Sequence, residues 1–536
     1  MDAVENPPRQ PFSIKLWPPS QNTRAMLVER MANNLSNPTV FTRKYGSLSK
    51  EEAAKNAKYI EETAFVSANE HYDNEPDGDG SSAVQLYAKE CSKLILEVLK
   101  RGQKVEEKDG VVSLPHDTIF DISKGQRAFI EAEEAQELLQ PLKEPGNSYS
   151  KVCFSNRSFG IGAARVAEPI LKSVKDQLKV VDLSDFVAGR PEADALDVMN
   201  IFSDTLEGSI LKSLNLSDNA LGEKGVRAFG KLLKSQSSLE ELFLMNNGIS
   251  EEAAKAVAEL VPSTDKLRVL HFHNNMTGDE GAMAIAEIVR RAPLLENFRC
   301  SSTRVGSEGG IALSEALGTF SNLRKLDLHD NMFGIEVGVS LSQALTKHQN
   351  LSELYLSYLN LEDEGAIAIA NALKDSAPSL EILEMAGNDI TSEAASALAS
   401  CIGVMPSLTK LNLSENELKD DGAIQISKVL QDGHDHLKEV DFSLNSLRRS
   451  GARTLAQSVV NKAQFKLLSL NGNYISDEGI DELNKIFKKS PDLLGPLDEN
   501  DPDGEDGDDD DNKESGDEDN DELESKLKNL DVNQED

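Results

Sequence analysis

The chain has little of what large catalytic domains are usually built from. It carries one tryptophan and only 5% aromatic residues in 536, while Leu, Ala, Asn and Gly recur periodically. That balance favours a repeat array over a large aromatic core. No run approaches the roughly 20 apolar residues that a membrane-spanning helix needs. The opening residues 1–12 lack the basic-then-apolar order of a secretory signal. The four cysteines, Cys91, Cys153, Cys300 and Cys401, stand far apart with neither CxxC nor zinc spacing. They read as reduced thiols of a cytosolic protein. There is no Gly-x-x-x-x-Gly-Lys-Ser/Thr loop, no Gly-x-Ser-x-Gly and no HExxH, so neither a P-loop, a serine-hydrolase elbow nor a zincin site is expected. No cofactor or metal of the chain's own is expected.

Positive charge is also scarce. The net charge is −36, and residues 498–524 alone hold 17 acidic residues against one lysine, supplying −16 of it. Nucleic acid is therefore an improbable partner, since its phosphates would be repelled. A basic protein surface fits better, and such a tail would speed its association by steering. Triplets such as Asn215-Leu-Ser and Asn412-Leu-Ser fall inside the repeat pattern and read as its by-product rather than as glycosylation sites.

What the sequence does have is order along its length. Residues 1–110 read as a small all-α domain. Helical apolar spacing covers residues 20–35 through Met26, Leu27, Met31 and Leu35. A second helix starts at a capping box, Ser49-Lys-Glu-Glu52, and runs to about Glu70. A third spans about 82–101, with Leu86, Cys91, Leu94, Ile95, Val98 and Leu99 on its apolar side. Residues 111–148 read as a linker and an N-terminal cap, with a short strand and a helix at 127–139 shielding the first repeat from water.

From Tyr149 to residue 495 the chain is an array. The pattern L-x-x-L-x-L-x-x-N-x-L-G is clearest at Leu211, Leu214, Leu216, Asn219, Leu221 and Gly222. Its first position recurs at Tyr149, Leu178, Leu211, Leu239, Leu267, Leu295, Leu323, Leu351, Leu380, Leu408, Leu437 and Phe465. All steps but one are 28 or 29 residues; the step from Leu178 to Leu211 is 33. The first, fourth and sixth positions point into the core, and the residues between them face outward, as a strand requires. The ninth is mostly Asn, whose amide can bond the backbone at the turn leaving the strand. Alanines and leucines at helical spacing follow. This is the α/β pattern of a leucine-rich-repeat horseshoe solenoid of the ribonuclease-inhibitor type with about twelve repeats. Twelve strands ~4.8 Å apart make an inner face roughly 50 Å long, enough to grip a whole domain. Residues 496–536 are acidic and poor in apolar side chains, and read as a disordered tail with at most a weak helix at 523–530.

Two places stand out as contact candidates. Outward positions of the middle strands are Phe243, His271, His273, Arg299, Asp327, His329 and Tyr355, the aromatic and charged mix that binding hot spots use. His271 and His273 are separated along one strand and His329 lies two repeats away, so a shared metal is not expected. The long step contains Asp185-Phe-Val-Ala-Gly-Arg-Pro-Glu-Ala-Asp194, and insertions in a solenoid repeat go into loops, often on the binding face. Arg190 lies there. On periodicity alone it reads equally well as a solvated arginine in a tolerated insertion.

Gly189-Arg190 followed by Leu216-Ser-Asp-Asn-Ala-Leu-Gly222 resembles the first repeats of Ran GTPase-activating proteins, as does the acidic tail. Trp17-Pro18-Pro19 and the helices after it resemble the WPP domain that marks plant members of that family. The resemblance covers nearly the whole chain and implies binding of Ran·GTP and acceleration of hydrolysis in Ran's own active site, with GTP and magnesium belonging to Ran. It implies no inserted arginine finger. Asn219 would be the residue assisting Ran's catalytic glutamine, Arg190 would support the interface, and Asp330 would lie on the same rim. Trp17, Pro18 and Pro19 would serve targeting through coiled-coil anchor proteins at the nuclear envelope. The implied location is the cytoplasm, the cytoplasmic face of that envelope and mitotic structures such as the cell plate. The competing readings are a leucine-rich-repeat scaffold or inhibitor without effect on catalysis, a fragment of an immune receptor, and an intrinsic enzyme.

Overall fold

The structure is a computed structural model that describes residues 17–19, 21–36, 50–74, 80–102, 118–124 and 127–501. The chain divides into two compact units, 1–115 and 116–536. In the first, helices α1 (Gln21–Ser36), α2 (Lys50–Asn74) and α3 (Ser81–Gly102) pack together. The expected capping box at Ser49 lies outside the described residues. Small residues on one side of α2, Ala53, Ala57, Ala64 and Ala68, are fully buried and let the neighbouring helices approach closely. Glu61 is buried beside them. Its carboxylate accepts a forked pair from Arg24, Nε at 2.6 Å and Nη2 at 2.9 Å, and the Tyr87 hydroxyl at 2.9 Å. A buried carboxylate is tolerable only with such partners.

The second unit is the repeat array. Strands β1 (Thr118–Asp121), β3 (Tyr149–Cys153), β5 (Val180–Asp182), β6 (Ser213–Asn215), β7 (Glu241–Phe243), β8 (Val269–His271), β9 (Asn297–Arg299), β10 (Lys325–Asp327), β11 (Glu353–Tyr355), β12 (Ile382–Glu384), β13 (Lys410–Asn412), β14 (Glu439–Asp441) and β15 (Leu467–Ser469) form one sheet. Every neighbouring pair is parallel. One inward residue of each repeat strand, from Val152 through Leu214 and Leu326 to Leu468, is buried. Each strand is only three to five residues long, so no single repeat buries enough apolar surface to stand alone, and the core exists only through stacking.

Three expectations are corrected. The short strand expected in the cap is β1, but it joins the repeat sheet by pairing with β3, so that sheet has thirteen strands and not twelve. Residues 127–139 are not one helix. Ala128–Ile130 form a strand, β2, paired with β4 (Arg157–Phe159), and the helix, α4, spans only Ala132–Leu138. Alternation decides this: Ile130 is buried while Phe129 is exposed, a two-residue period that a helix cannot keep. Finally, the array does not end at 495. Gly495 N donates to Leu468 O at 2.9 Å, Asp501 N donates to Asn473 O at 2.8 Å, and Asn500 Oδ1 accepts from Asn473 N at 2.9 Å. Residues 494–500 are a partial further repeat, Leu494-x-x-Leu497-x-x-Asn500, that covers the edge of β15. Residues 502–536, where most of the acidic tail falls, lie outside the described residues.

Ending the chain after Pro496 would strip Asn500 from the backbone of the last full repeat. That truncation should lower the thermal midpoint of the array by several degrees, at roughly 1–3 kcal/mol for unsatisfied buried groups. Ending it after Asp501 should leave the midpoint unchanged. A calorimetric comparison of the two truncations with the full chain checks this.

Candidate functional site

The long second repeat divides its extra residues between the loop 185–191 and a 15-residue helix, α5 (Glu192–Leu206). The loop faces the turn that leaves β6, Ser217-Asp218-Asn219-Ala220. Between them lies a cavity of about 540 Å³ lined by Gly189, Arg190, Leu196, Met199, Asn219 and Ala220 among others. Arg190 and Asn219, singled out from sequence, therefore do meet on one rim, but neither side chain is oriented as expected.

The Asn219 amide is turned inward. Its Oδ1 accepts from Phe186 N at 3.0 Å and Val187 N at 3.3 Å. Its Nδ2 donates to Leu183 O at 2.8 Å, Ser217 O at 2.9 Å and Leu216 O at 3.0 Å. With 4% exposure and both ends of the amide engaged, it has no free donor or acceptor for a partner. What faces solvent is the turn: Asp218 and Ala220, both in the left-handed region at φ 61° and 51°. Asp218 accepts from Asn246 Nδ2 at 2.8 Å.

Arg190 is likewise held back. Its Nη1 lies 2.6 Å from Glu131 Oε1, its Nη2 donates to Ser158 O at 2.7 Å and Ile130 O at 3.2 Å, and its Nε points to Ser158 Oγ at 3.3 Å. The guanidinium also stacks 4.9 Å from the Phe129 ring. Arg190 is thus neither the solvated arginine of a tolerated insertion nor a reaching finger. Sequence inspection had no means of finding Phe129 and Glu131, because their partners are about sixty residues away and no local pattern marks them. Lys224 and Glu192, paired at 2.5 Å across the mouth of the cavity, were missed for the same reason.

Farther along, Asp330 is exposed, with φ 57°, and lines a second rim cavity of about 540 Å³ with Asn274, Met276, Arg304 and Met332. It does not share the Arg190–Asn219 cavity. The outward row on the strands is brought together as a floor. Asp327 is the correction there. Far from presenting a free carboxylate, it is buried, with Arg299 Nε ion-paired 2.6 Å from Oδ2 and His329 Nδ1 hydrogen-bonded 2.6 Å from Oδ1. Burial raises its pKa, but the His329 hydrogen bond and the two cationic neighbours outweigh that and hold it below the usual carboxylate range. The same hydrogen bond lifts His329 above the ordinary histidine value. Burial, helped by Arg299, pushes His273 down to about 4. His271 is also lowered by burial; it packs edge-on against Phe243 at 5.1 Å and bonds Asn297 at 3.2 Å. Tyr355 is tied to Glu353 at 2.8 Å. Among the described residues no group of three or more His, Cys, Asp and Glu is placed to hold a metal ion.

In the helical unit, Trp17 is 1% exposed, with its ring stacked 5.3 Å from Phe65 and Nε1 donating to Asn69 at 3.3 Å. It is a core residue and presents no face to a partner. Pro18 is exposed and Pro19 half-buried.

Comparison with known proteins shows the family. The chain is 75% identical to RAN GTPase-activating protein 2 of Arabidopsis thaliana over 98% of both chains, and 64% identical to RAN GTPase-activating protein 1 of the same plant over 98% of this chain and 97% of the relative. The chain belongs to the Ran GTPase-activating protein family. Residues 13–109 match the WPP domain, and four segments between 210 and 427 match the leucine-rich-repeat family. The helical unit of this Ran GTPase-activating protein family member is also similar to MFP1 attachment factor 1 of Solanum lycopersicum, 36% identical over 88 residues, which is 16% of this chain and 57% of that one.

Two of the three perturbed histidines on the floor, His329 and His273, give opposite pH signatures. His329, raised in the fold, adds stability that is complete below the unfolded value near 6.5 and is lost as pH rises through the folded value. His273, depressed to about 4, takes up its proton less readily folded than unfolded, so stability falls as pH drops from about 6.5 toward 4. His273→Gln should flatten the acid limb of a stability-versus-pH curve from chemical denaturation, and His329→Gln the limb above 6.5.

Proposed function

We propose that this chain stimulates GTP hydrolysis by Ran, with bond breaking in Ran's own active site and with GTP and its magnesium held by Ran. The observation that carries this reading is identity along the whole chain with two proteins named RAN GTPase-activating protein, in both the helical unit and the array. The geometry supports a particular mode of action. The rim offers a preformed turn and loop whose polar backbone is fixed before any partner arrives, and preorganised groups aimed at a reacting centre cost no reorganisation when it reacts. Arg190 is fully engaged within the chain, which fits a mechanism without an inserted arginine. Asn219 assists by fixing the turn Asp218–Ala220 and the loop amides of residues 186–187, so that this surface can hold Ran's catalytic glutamine in place. Asp330, Phe243, His271, His273, Arg299, His329 and Tyr355 extend the contact surface along the rim and floor.

The WPP domain brings the chain to the nuclear envelope, on its cytoplasmic face, by docking on coiled-coil anchor proteins. Trp17 serves this by holding the domain together. Removing a fully buried ring of that size costs roughly 3–5 kcal/mol. Trp17→Ala should therefore abolish rim localisation of a fluorescent fusion together with the helical signal of residues 1–115, whereas Pro18→Ala should keep the fold.

A single-turnover assay with Ran·GTP and several other small GTPases tests the main reading. Stimulation of Ran alone is the expected result; tight binding with no acceleration would establish a scaffold instead. Within the same assay, Asn219→Ala and Asn416→Ala should each lose about 1–3 kcal/mol of stability through unsatisfied backbone groups. Only Asn219→Ala should lose stimulation, by roughly 10²–10³. Equal activity in both variants would reduce Asn219 to a structural residue.

A further inference from the structure

We propose that strand β2 of the N-terminal cap is a working part of the rim site, with Arg127, Phe129 and Glu131 acting as positioning residues for the loop 185–190. The inference rests on the Ran-stimulating function and names residues that neither motif nor periodicity marks.

The strand's two-residue period puts 127, 129 and 131 on one face and leaves Ile130 buried on the other. All three residues on that face contact the loop. Arg127 forks onto Asp185, Nη2 to Oδ1 at 2.5 Å and Nε to Oδ2 at 2.9 Å, at the loop's entrance. Phe129 lies over Gly189, where a Cβ would fall 3.0 Å from the ring's Cζ and where φ is +82°. The same ring stacks on Arg190, and Glu131 pairs with the Arg190 guanidinium at the loop's exit. The opposite side of the loop is held by Asn219 through the amides of Phe186 and Val187. The segment is thus pinned from two directions, and the cavity between loop and turn keeps its width only while both sets of contacts hold.

Arg127 and Phe129 are poorly explained as stabilisers, whereas Glu131 also caps α4 through a capping box with Glu134. The side chains of Arg127 and Glu131 are 52% and 62% exposed, and Phe129 is 52% exposed. Their partners Asp185 and Arg190 are only 14% and 13% exposed, but an ion pair with one end in water is weakened by solvent, and a half-exposed phenylalanine buries little surface. Gly160 fits the same account: a Cβ there would fall 2.6 Å from Glu131 Oε2, so the glycine leaves room for the carboxylate that holds Arg190. Displacing a surface that must meet a reacting centre by about 1 Å can cost 10²-fold in rate while leaving the fold intact.

The test uses the full-length chain with Glu131→Ala, Phe129→Ala, Gly160→Ala and the acceptor-retaining Glu131→Gln. Three quantities are read: hydrogen exchange of amides 186–190, Ran·GTP hydrolysis at saturating and half-saturating chain, and the thermal midpoint. Phe129→Ala should speed exchange in 186–190 and lower the saturated rate roughly 10-fold, with little change in half-saturation concentration or midpoint. Glu131→Ala should speed exchange and lower the rate similarly, with a small added loss of midpoint from the α4 cap. Gly160→Ala should do the same more weakly by crowding Glu131, and Glu131→Gln should keep most of the activity. Unchanged exchange overturns the clamp. Faster exchange with full stimulation overturns its positioning role alone, as does a rate loss that tracks the thermal midpoint. If the unaltered chain fails to stimulate Ran, the functional reading falls and this proposal falls with it.

Discussion

The array depends on one hydrogen-bonding device, the buried asparagine at the turn leaving most of its strands. Its Oδ1 accepts from backbone of the preceding repeat, as when Asn219 N donates to Asn247 Oδ1 at 2.9 Å and Asn247 N to Asn275 Oδ1 at 3.0 Å. Its Nδ2 returns a bond to a carbonyl at the end of the preceding strand, as from Asn416 to Met385 O at 3.1 Å. Strands this short leave the turn backbone buried with no ladder partner, and buried unpaired groups are costly. The amide supplies those partners and links each repeat to the one before it. Where the ladder lacks Asn, as at Phe186, Thr303 and Leu359, the next asparagine still serves: Asn219 Oδ1 accepts from Phe186 N at 3.0 Å, Asn331 Oδ1 from Thr303 N at 3.2 Å, and Asn388 Oδ1 from Leu359 N at 2.9 Å.

That device also shapes the functional rim. The residue just before the ninth position lies in the left-handed region at Asp218, Asn246, Asn274, Ser302 and Asp330, whether the ninth residue is Asn or Thr. Side chains there project in register along the array, and Asp218, Asn246 and Asn274 bond one to the next. A partner meets a surface whose backbone is set by buried bonds rather than by contact with the partner. At the second repeat the device acquires a further task, since Asn219 reaches into the enlarged loop that the cap strand holds from the other side. The rim and the floor differ in character. On the floor, charge is neutralised internally around Asp327, so the exposed parts are histidine edges, Tyr355 and the outer nitrogens of Arg299.

The sequence by itself determined the class of fold, because ten of eleven steps of 28 or 29 residues point to a single arrangement, and it determined the family through Gly189-Arg190, the 216–222 motif and Trp17-Pro18-Pro19. It also brought Arg190 and Asn219 to one rim, since both lie just past the ends of adjacent strands. It did not determine what those side chains do there. Asparagine at the ninth position reads the same whether it faces solvent or backbone, and an arginine in a loop reads the same whether free or clamped. Outward alternation placed Asp327 on the surface, and only the approach of Arg299 from β9 and of His329 just past β10 buried it. The true end of the array was legible in Leu494-x-x-Leu497-x-x-Asn500, but acidic neighbours masked it. Contacts between residues some sixty positions apart, Arg127 with Asp185 and Glu131 with Arg190, were settled only by tertiary structure. Stacking a cap strand against the second repeat brings them together, and no local spacing records which distant residues a stacked edge will meet.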